Sequence, residues 1–212
     1  MSGEKSSCEN KVGGIVILLV TFAVLIVGVS LRGQLSHHAQ RNSVPTLVQK
    51  RPDHFSTRQK RSFINRVGTP AVKLYLKNRQ VLPSVVIAQA ILESQFGTSE
   101  LTTTANNLFG IKGTYHGQSV QFYTREVENG KSIKVLAQFR KYPNLASSIA
   151  DHNQLVSEKF IKAKNILSYR KSTRLLQANG YATDPHYAAK LNRLIVKYQL
   201  SRYDLKAINE RV

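Results

Sequence analysis

The feature that most constrains the fold is a run of fifteen mostly apolar residues that begins at Pro83 and ends at Gly97. Proline is favoured at the first position of a helix and glycine just beyond the last, so the run has helix boundaries at both ends, with Ser84 as the candidate N-cap. One predicted face repeats at intervals of three and four residues and comprises Val86, Gln89, Ala90 and Glu93. We predict that the rest of the domain packs around this helix.

Glu93 is the single acid of this run. A carboxylate on an apolar helix face costs several kcal/mol to bury in its ionised form, so it either pairs with a cation or its pKa rises. A raised pKa lets a carboxyl group keep its proton near neutral pH, as a general acid must. Helix position alone favours the alternative, in which Glu93 lies exposed or salt-bridged at the helix end.

A second apolar segment lies near the N-terminus, where residues 12–31 carry no charge between Lys11 and Arg32. Twenty helical residues at about 1.5 Å each span roughly 30 Å, the thickness of the hydrocarbon core of a bilayer. We therefore predict a transmembrane signal-anchor over residues 12–31, preceded by a cytoplasmic tail over residues 1–11. A cleaved signal peptide is the alternative, because Gly28-Val29-Ser30 offers small residues for cleavage, although the length of the segment favours retention.

The remaining chain divides by composition into a linker and a folded domain. Residues 32–59 contain proline, serine, threonine and scattered basic residues without a sustained hydrophobic period, which predicts a basic linker. Helical and strand periodicity then extends over residues 60–204, the predicted folded domain. Residues 205–212 are assigned to a C-terminal tail.

Composition restricts the partners and cofactors. The formal net charge is +19, from 31 Lys and Arg against 12 Asp and Glu. Such an excess favours an anionic partner, namely nucleic acid, lipid headgroups or an anionic cell-wall polymer, over a merely solubilising surface. Cys8 is the single cysteine, so an intramolecular disulfide is impossible. The six histidines show no metal-binding spacing, and we predict neither a structural metal nor a cofactor.

Within the predicted domain, the hydrophobic period indicates a mainly helical α+β fold. Helical spacing runs from Phe63 to Leu76, with Gly68-Thr69-Pro70 as a candidate break, and residues 98–118 are rich in loop formers. A period of two follows on both sides of Asn129-Gly130, the strongest short signal for a β-hairpin. Helices are predicted to resume over residues 145–157, 172–179 and 185–200, the last with Asp184 as its N-cap.

The predicted hairpin carries two acids, Glu126 and Glu128, of which we expect at most one to face the helical part. Glu128 adjoins the turn, where a solvated charge is the simpler interpretation. Glycoside hydrolysis usually uses a second carboxylate beside the general acid, as base or nucleophile, so Glu126 is the candidate partner of Glu93. Several aromatic residues either stack on sugar rings or belong to the core; they are Phe96, Phe109, Tyr115, Tyr123 and Tyr181.

Five segments, in this order, resemble the glucosaminidase domain of glycoside hydrolase family 73. They are residues 83–97 (PSVVIAQAILESQFG), 106–113 (NNLFGIKG), 123–130 (YTREVENG), 139–142 (FRKY) and 180–190 (GYATDPHYAAK). The resemblance extends over residues 60–204, and the family includes peptidoglycan hydrolases of the flagellar and bacterial autolysin types. It implies a lysozyme-like helical lobe with a small β-hairpin lobe, here preceded by the predicted transmembrane helix.

The resemblance also implies an activity. Members of the family cleave the β-1,4 glycan strand of peptidoglycan, typically on the N-acetylglucosamine side. The chain is therefore expected to act as an endo-β-N-acetylglucosaminidase, without a cofactor, in bacterial cell-wall turnover or separation. By position in the motifs, Glu93 corresponds to the general acid, Glu126 to a second and more mobile acid, and Tyr181 to the active-site tyrosine.

The residues predicted to contact the glycan are Phe96, Asn107, Phe109, Tyr123 and Asp184. Of these, the resemblance implies that Asn107 and Phe109 belong to the segment that lines the cleft beside the acid. One of the five departs from the family pattern. The family usually has tryptophan where this chain has Phe96, and the chain contains no tryptophan at all. Phenylalanine preserves the apolar packing but lacks the indole N–H.

The mechanism and the reaction class each leave alternatives. Glu126 either activates water, stabilises a cation-like transition state, or assists attack by the sugar's own 2-acetamido group. An N-acetylmuramidase or a lytic transglycosylase shares a catalytic glutamate on a helix, and a wall-binding module would need neither acid. A nucleic-acid binder is disfavoured, because the basic residues form no recognition motif.

These expectations also bear on location. The partners of such an enzyme are peptidoglycan strands and anionic wall polymers such as teichoic acids, which lie outside the cell. We therefore expect a single-pass membrane protein with an extracellular catalytic domain, or a secreted protein if residues 12–31 are cleaved. The basic residues that follow this segment argue for the opposite orientation, but loop charge has little effect on long domains.

Overall fold

The structure is a computed structural model that describes residues 55–128 and 131–210, with side chains in the hairpin described up to Thr124 and from Ile133 onward. The predicted membrane anchor over residues 12–31 lies outside this part of the chain. Among the helices that are described, none is both long enough and apolar enough to cross a membrane.

The described chain forms seven helices and one antiparallel pair of strands. In chain order these are α1 (Thr57–Asn78), α2 (Pro83–Ser94), α3 (Glu100–Ala105), β1 (Ser119–Glu128), β2 (Lys131–Arg140), α4 (Leu145–Lys159), α5 (Tyr169–Ala178), α6 (Tyr187–Lys197) and α7 (Ser201–Asn209). The predicted mainly helical α+β class with one small β-hairpin is confirmed. The first helix begins three residues before the predicted start of the domain.

Helix α2 lies at the centre of the main core. Ten of its twelve residues are buried, and α1, α5, α6 and α7 all pack against it. Its residues Val85, Val86 and Ile87 are inaccessible to solvent, and burial of each such aliphatic side chain contributes about 1.5–3 kcal/mol. The prediction that the domain packs around this helix is confirmed.

The start of α2 differs from the prediction that Ser84 caps it. The helix begins at Pro83, and Ser84 lies inside its first turn with a buried side chain. The side chain of Asp204 in α7 accepts a hydrogen bond from the backbone N–H of Ser84 at 2.7 Å. This bond satisfies one of the donors that a helix N-terminus leaves unpaired. Since the cap comes from a residue 120 positions away, no local signal identifies it.

Helix α1 is continuous through the segment that the sequence marks as a candidate break, so that prediction is wrong. Pro70 lies inside the helix, where a proline removes one hydrogen bond and favours a kink. Gly68 leaves room for the ring of Tyr203 from α7, and the buried residues Val67 and Ala71 continue one packed face past the proline. Tertiary packing therefore outweighs the local cost.

The predicted β-hairpin is confirmed. Val120 lies opposite Phe139 and Phe122 opposite Ala137 in an antiparallel register. Phe122 and Phe139 are buried and pack with residues of α3 into a second, smaller core. The half of the hairpin nearest its base therefore rests on α3.

Helix α3 lies in the segment that the sequence assigns to loops. Its N-terminus is capped by Ser99, whose hydroxyl oxygen accepts a hydrogen bond from the Thr102 N–H at 3.3 Å. The helix has only six residues, three of them threonine. Because β-branched residues weaken the helical signal, a helix this short is hard to predict from sequence.

The C-terminal segment forms two helices where the sequence predicts one over residues 185–200. Helix α6 ends at Lys197, and Gln199 has a left-handed φ of 51°, which turns the chain into α7. Helix α7 extends to Asn209 and so includes residues that the sequence analysis assigned to a tail. Ala207 is buried in the main core, which makes α7 an integral part of the domain.

Replacing Asp204 by asparagine tests the long-range cap. Burial raises the pKa of Asp204 from 3.8 to about 6. Because the folded state holds this proton more tightly than the unfolded state, the contribution of Asp204 to stability is greatest below about pH 4 and is lost as the pH rises through about 6. The Asp204→Asn variant keeps an acceptor oxygen for the Ser84 N–H but does not ionise.

The free energy of unfolding of Asp204→Asn, relative to the wild type, should therefore rise by about 2–3 kcal/mol between about pH 4 and about pH 7.5. Urea denaturation at several pH values measures this difference. A difference that does not change with pH would contradict the assignment of the raised pKa to Asp204.

Candidate active site

Glu93 lies in the last turn of α2, and its carboxyl oxygen Oε1 accepts a hydrogen bond from the hydroxyl of Tyr187 at 2.9 Å. Burial of the carboxyl group raises the pKa of Glu93 from 4.5 to about 7, while the hydrogen bond from Tyr187 and the positive charge of Lys190 limit the rise. About half of the Glu93 carboxyl groups therefore carry a proton at neutral pH, as a general acid requires.

A tight turn fixes where α2 ends. Gln95, Phe96 and Gly97 all have left-handed backbone angles, with φ of 52°, 57° and 78°. The Ser94 hydroxyl oxygen accepts a hydrogen bond from the Gly97 N–H at 2.8 Å, and a side chain at residue 97 would collide with the ring of Phe63. The turn holds Glu93 at the edge of the core instead of inside it.

Tyr187 is a site residue that the sequence analysis did not single out, although it lies in the 180–190 motif. It is the first residue of α6, and its buried hydroxyl also accepts a hydrogen bond from Gln89 Nε2 at 3.2 Å. Gln89 lies one helical turn before Glu93 on α2. The sequence signal was present in the helical spacing of Gln89 and Glu93, but their shared partner is 94 residues from Glu93.

Tyr181, which the motif marks as a candidate active-site residue, lies beside this group. Its ring stacks on the ring of Tyr187, with centroids 5.4 Å apart, and contacts the edges of Phe160 and His152. Burial and the nearby charge of Glu93 raise the pKa of Tyr181 well above its ordinary value. Its phenol therefore stays protonated and can donate a hydrogen bond.

The Asn107–Phe109 segment packs against the same part of the molecule. Asn107 Nδ2 donates to the carbonyl oxygens of Ile111 at 2.9 Å and Arg140 at 2.8 Å, which joins this loop to the end of β2. Phe109 stacks on His152 of α4 with centroids 3.7 Å apart. Burial lowers the pKa of His152 to about 4, so the imidazole beneath Phe109 is neutral.

Glu126 occupies a defined register position in the hairpin. It pairs with Ile133 and lies two and four residues beyond Thr124 and Phe122, which are buried against the helical part. Because every second residue of a strand lies on the same face, position 126 shares this inward face. Position 128 shares this face as well, so the two positions do not alternate between faces, as the expectation had assumed. Which of the two acids faces the helical part stays a prediction.

The other predicted contact residues have partners within the protein. Phe96 is buried among Phe55, Phe63 and Tyr198, with its ring centroid 5.5 Å from that of Tyr198. Its contact with a glycan stays a prediction, and its observed role is to pack α1 against the end of α2.

Tyr123 lies on the outward face of the hairpin, and the ammonium of Lys134 is 4.5 Å from the centroid of its ring. Asp184 accepts a hydrogen bond from the backbone N–H of His186 at 2.9 Å and pairs with Lys190 at 2.6 Å. Helix α6 itself begins at Tyr187, two residues later than predicted. The ion pair holds the pKa of Asp184 below its ordinary value and fixes the lysine whose charge acts on Glu93.

An ion pair that the sequence did not reveal joins the β-hairpin to α4. Arg140, the last residue of β2, donates to both carboxylate oxygens of Asp151, at 2.7 and 2.6 Å. The hydroxyl of Tyr142 donates to the same carboxylate at 2.6 Å. Hydrogen bonds between charged groups are stronger than those between neutral groups, so this pair helps to hold the base of the hairpin on α4.

The carboxyl group of Glu93 is thus able to give a proton to a leaving oxygen, the step that glycoside hydrolases require of their acid. In a mainly helical fold with a small β-lobe, this chemistry defines the class: lysozyme-like glycoside hydrolases. Over residues 55–128 and 131–210, no group of three or more His, Cys, Asp and Glu side chains is arranged to hold a metal ion.

Comparison with known families identifies the group within this class. The profile of the glucosaminidase family, described as mannosyl-glycoprotein endo-beta-N-acetylglucosaminidase, matches residues 69–200. The chain belongs to this family, which confirms the glucosaminidase domain expected from the motifs.

Named relatives agree with this assignment. The chain is 44% identical over 169 residues to exo-glucosaminidase LytG of Bacillus subtilis, a match that covers 76% of this chain and 59% of LytG. It is 30% identical over 185 residues to the peptidoglycan hydrolase FlgJ of Escherichia coli, covering 82% of this chain and 56% of FlgJ. The chain therefore spans less than two thirds of the length of these curated relatives.

Among solved structures, the catalytic domain of the autolysin Auto from Listeria monocytogenes superimposes with a TM-score of 0.64 at 40% identity. The match covers 71% of this chain and 90% of that domain. The lysozyme-like fold is thereby confirmed.

Replacing Tyr187 by phenylalanine should raise the pKa of Glu93 above about 7. The hydrogen bond from Tyr187 stabilises the ionised carboxylate, and the variant removes it. A ¹³C NMR titration measures this pKa, with the Glu93 signal assigned by its absence in Glu93→Gln. The matched control is Tyr203→Phe, whose hydroxyl bonds Asn65 and not Glu93. An unchanged or lowered pKa in Tyr187→Phe would show that this hydrogen bond does not influence the acid.

Proposed function

We propose that this protein hydrolyses the β-1,4 glycan strand of bacterial peptidoglycan on the N-acetylglucosamine side. The observation that carries the proposal is the Glu93 carboxyl group, desolvated and half-protonated near neutral pH beside Tyr181 and Tyr187. The names of the relatives, among them an exo-glucosaminidase, an autolysin and a peptidoglycan hydrolase, support the choice of substrate. The predicted endo mode of cleavage is part of the proposal.

In the proposed mechanism, Glu93 donates its proton to the oxygen that links the two sugars. Oε1 already accepts the hydrogen bond from Tyr187, so Oε2 carries the proton that is transferred. The bond between the anomeric carbon and this oxygen then breaks, and the leaving sugar departs with a hydroxyl group. A water molecule supplies the hydroxyl group that the anomeric carbon gains, and its remaining proton restores the acid.

Glu126 is proposed as the second carboxylate of the reaction. Its position on the inward face of β1 supports this role, and the carboxylate would activate the attacking water or stabilise the cation-like transition state. Attack by the sugar's own 2-acetamido group is the alternative, with Tyr181 and Glu126 as electrostatic helpers. Closure of the hairpin over the bound glycan is the step that would bring Glu126 to the reacting carbon.

We further propose that residues 12–31 anchor the protein in the cell membrane, with the catalytic domain on the extracellular face. The location of the substrate supports this orientation, as does the uncharged length of the segment. If the segment is cleaved, the domain is secreted to the same compartment.

An N-acetylmuramidase activity is the second candidate. The proteins named probable N-acetylmuramidase from Lactococcus lactis, 40% identical over 159 residues, favour it. The two activities cut different glycosidic bonds of the same alternating strand. A glucosaminidase leaves N-acetylglucosamine at the new reducing end, whereas a muramidase leaves N-acetylmuramic acid there. A lytic transglycosylase would instead leave anhydro-muramic ends.

Product analysis on purified peptidoglycan tests both proposals. The wild type should release reducing N-acetylglucosamine ends, and Glu93→Gln should lower the rate by about 10²–10⁴-fold, since it removes the general acid. Glu126→Gln should also reduce the rate, whereas the surface control Glu158→Gln should not. Reducing N-acetylmuramic ends would favour the muramidase, and a fully active Glu93→Gln would overturn the enzymatic role of this residue.

The pH dependence gives a further test. Because Glu93 acts in its protonated form and its pKa is about 7, activity should fall as the pH rises through about 7. The positive charge of Lys190 lowers this pKa, so Lys190→Gln should move the alkaline limb of the profile to higher pH. Lys197→Gln, on the same helix, serves as the control and should leave the limb unchanged. A shift to lower pH in Lys190→Gln would contradict the electrostatic assignment.

A further inference from the structure

The exposed side of α1 carries a line of cations without any acid. Six of its residues are lysine or arginine, and none is aspartate or glutamate. Four of the cations, Arg58, Arg66, Lys73 and Lys77, recur at spacings of eight, seven and four residues, which places them on one side of the helix. All four are exposed. At about 1.5 Å per residue, this α1 basic stripe is roughly 28 Å long.

The stripe has no anionic partner in the described part of the protein. The ion pairs observed there lie elsewhere, and they join Arg140 to Asp151, Lys190 to Asp184 and Lys206 to Glu210. The arrangement also costs stability. Like charges four residues apart, as in Lys73 and Lys77, repel each other, and Arg58 lies in the first helical turn, where the helix dipole disfavours cations. An external polyanion would relieve both costs.

A pocket with a volume of about 400 Å³ adjoins the N-terminal end of the stripe. Arg58, Ser62 and Arg66 line it from α1, while Phe55 and Phe96 contribute apolar walls beside the turn that ends α2. The pocket therefore offers two arginine side chains, from positions about 12 Å apart along the helix axis, together with apolar surface. Lys73 and Lys77 lie outside this pocket, so a single carboxylate cannot engage the whole stripe, but a polymer with repeated anionic groups can.

We propose that the α1 basic stripe and its adjoining pocket bind a linear polyol-phosphate chain of the cell wall. Phosphodiester groups of such a polymer would pair with successive cations, and its carbon backbone would contact Phe55, which is partly exposed. The choice of a wall polymer rests on the proposed function, which puts the domain in the wall. The bound polymer would run along α1, which packs directly on α2, the helix that carries Glu93.

Two other polyanionic partners fit the stripe less well. A membrane surface is bound by helices that also insert large apolar side chains. The exposed large apolar residues of the described chain are Leu136, Leu167, Val196 and Leu205, and none lies on α1. Single-stranded nucleic acid is held by aromatic faces on which bases stack, but Phe96 is only 7% exposed and its ring packs among other aromatic rings.

Binding of the full-length chain, in a nonionic detergent, to a purified polyglycerol phosphate of defined length tests the proposal. The test variant replaces Arg58, Arg66, Lys73 and Lys77 with glutamine, which preserves helix propensity at exposed sites. The control variant replaces four other exposed cations, which lie in or just before α5, with glutamine. They are Lys162, Lys164, Lys171 and Arg174. Both variants lose the same formal charge, so a difference between them reports position rather than net charge.

The stripe variant should bind about tenfold more weakly or worse, with a shallower dependence on salt, because fewer counterions are released. The control variant should bind nearly as tightly as the wild type. Equal weakening of the two variants, or no binding by the wild type, would overturn the proposal. Tighter stripe-dependent binding to single-stranded DNA or to anionic phosphatidylglycerol vesicles would overturn the choice of partner.

A second measurement separates the proposed function from the binding site. It is the rate at which each variant hydrolyses peptidoglycan from which the phosphate polymers have been removed. Both variants should hydrolyse it as fast as the wild type, since neither changes the residues around Glu93. If the wild type fails to hydrolyse it but binds the polymer through the stripe, the proposed function fails and the binding site stands. If hydrolysis is normal but binding does not depend on the stripe, the binding site fails alone.

Discussion

The placement of one carboxyl group at the end of a buried helix is the constraint on which the site depends. Glu93 is desolvated because α6 and the segment before it cover the last turn of α2, and this desolvation raises its pKa to about 7. Tyr187 and Lys190 oppose the rise and so keep the group near half-protonation at neutral pH. The acid is therefore a product of packing between two helices distant in sequence, and any change that separates α2 from α6 would return its pKa toward 4.5.

Most of the fold could be predicted because its main signals are local. The α2 run is bounded by Pro83 and Gly97, and the hairpin is marked by a change of period around Asn129-Gly130. The errors arose where a distant residue decides the outcome. Asp204 caps α2 in place of Ser84, and Tyr203 packs on Gly68 and helps α1 continue past its proline. Neither contact leaves a trace in the local pattern, since α7 is more than a hundred residues from both.

The site was predicted less completely than the fold, for a related reason. A motif identifies residues that are near each other in sequence, and Glu93 and Tyr181 were found in this way. Tyr187 was missed because its role depends on the register between α2 and α6, which brings it to both Gln89 and Glu93. Conversely, Asn107 belongs to a motif, yet its side chain is occupied by backbone bonds that tie a loop to β2. The motif position alone does not distinguish a scaffold residue from one that touches substrate.

The two proposed acids are supported in very different ways. Glu93 lies on a helix that four others surround, whereas position 126 lies seven residues along a two-stranded ribbon from its first residue, Ser119. At about 3.3 Å per residue this is roughly 23 Å. The ribbon is fixed at its base by the Arg140–Asp151 pair and by burial of Phe122 on α3. Since a two-stranded ribbon has little stability of its own, these contacts at the base hold the described part of the hairpin on the domain. The position of the Glu93 carboxyl group is thus fixed by the folded domain, while the proposed role of Glu126 depends on how the hairpin would meet the substrate.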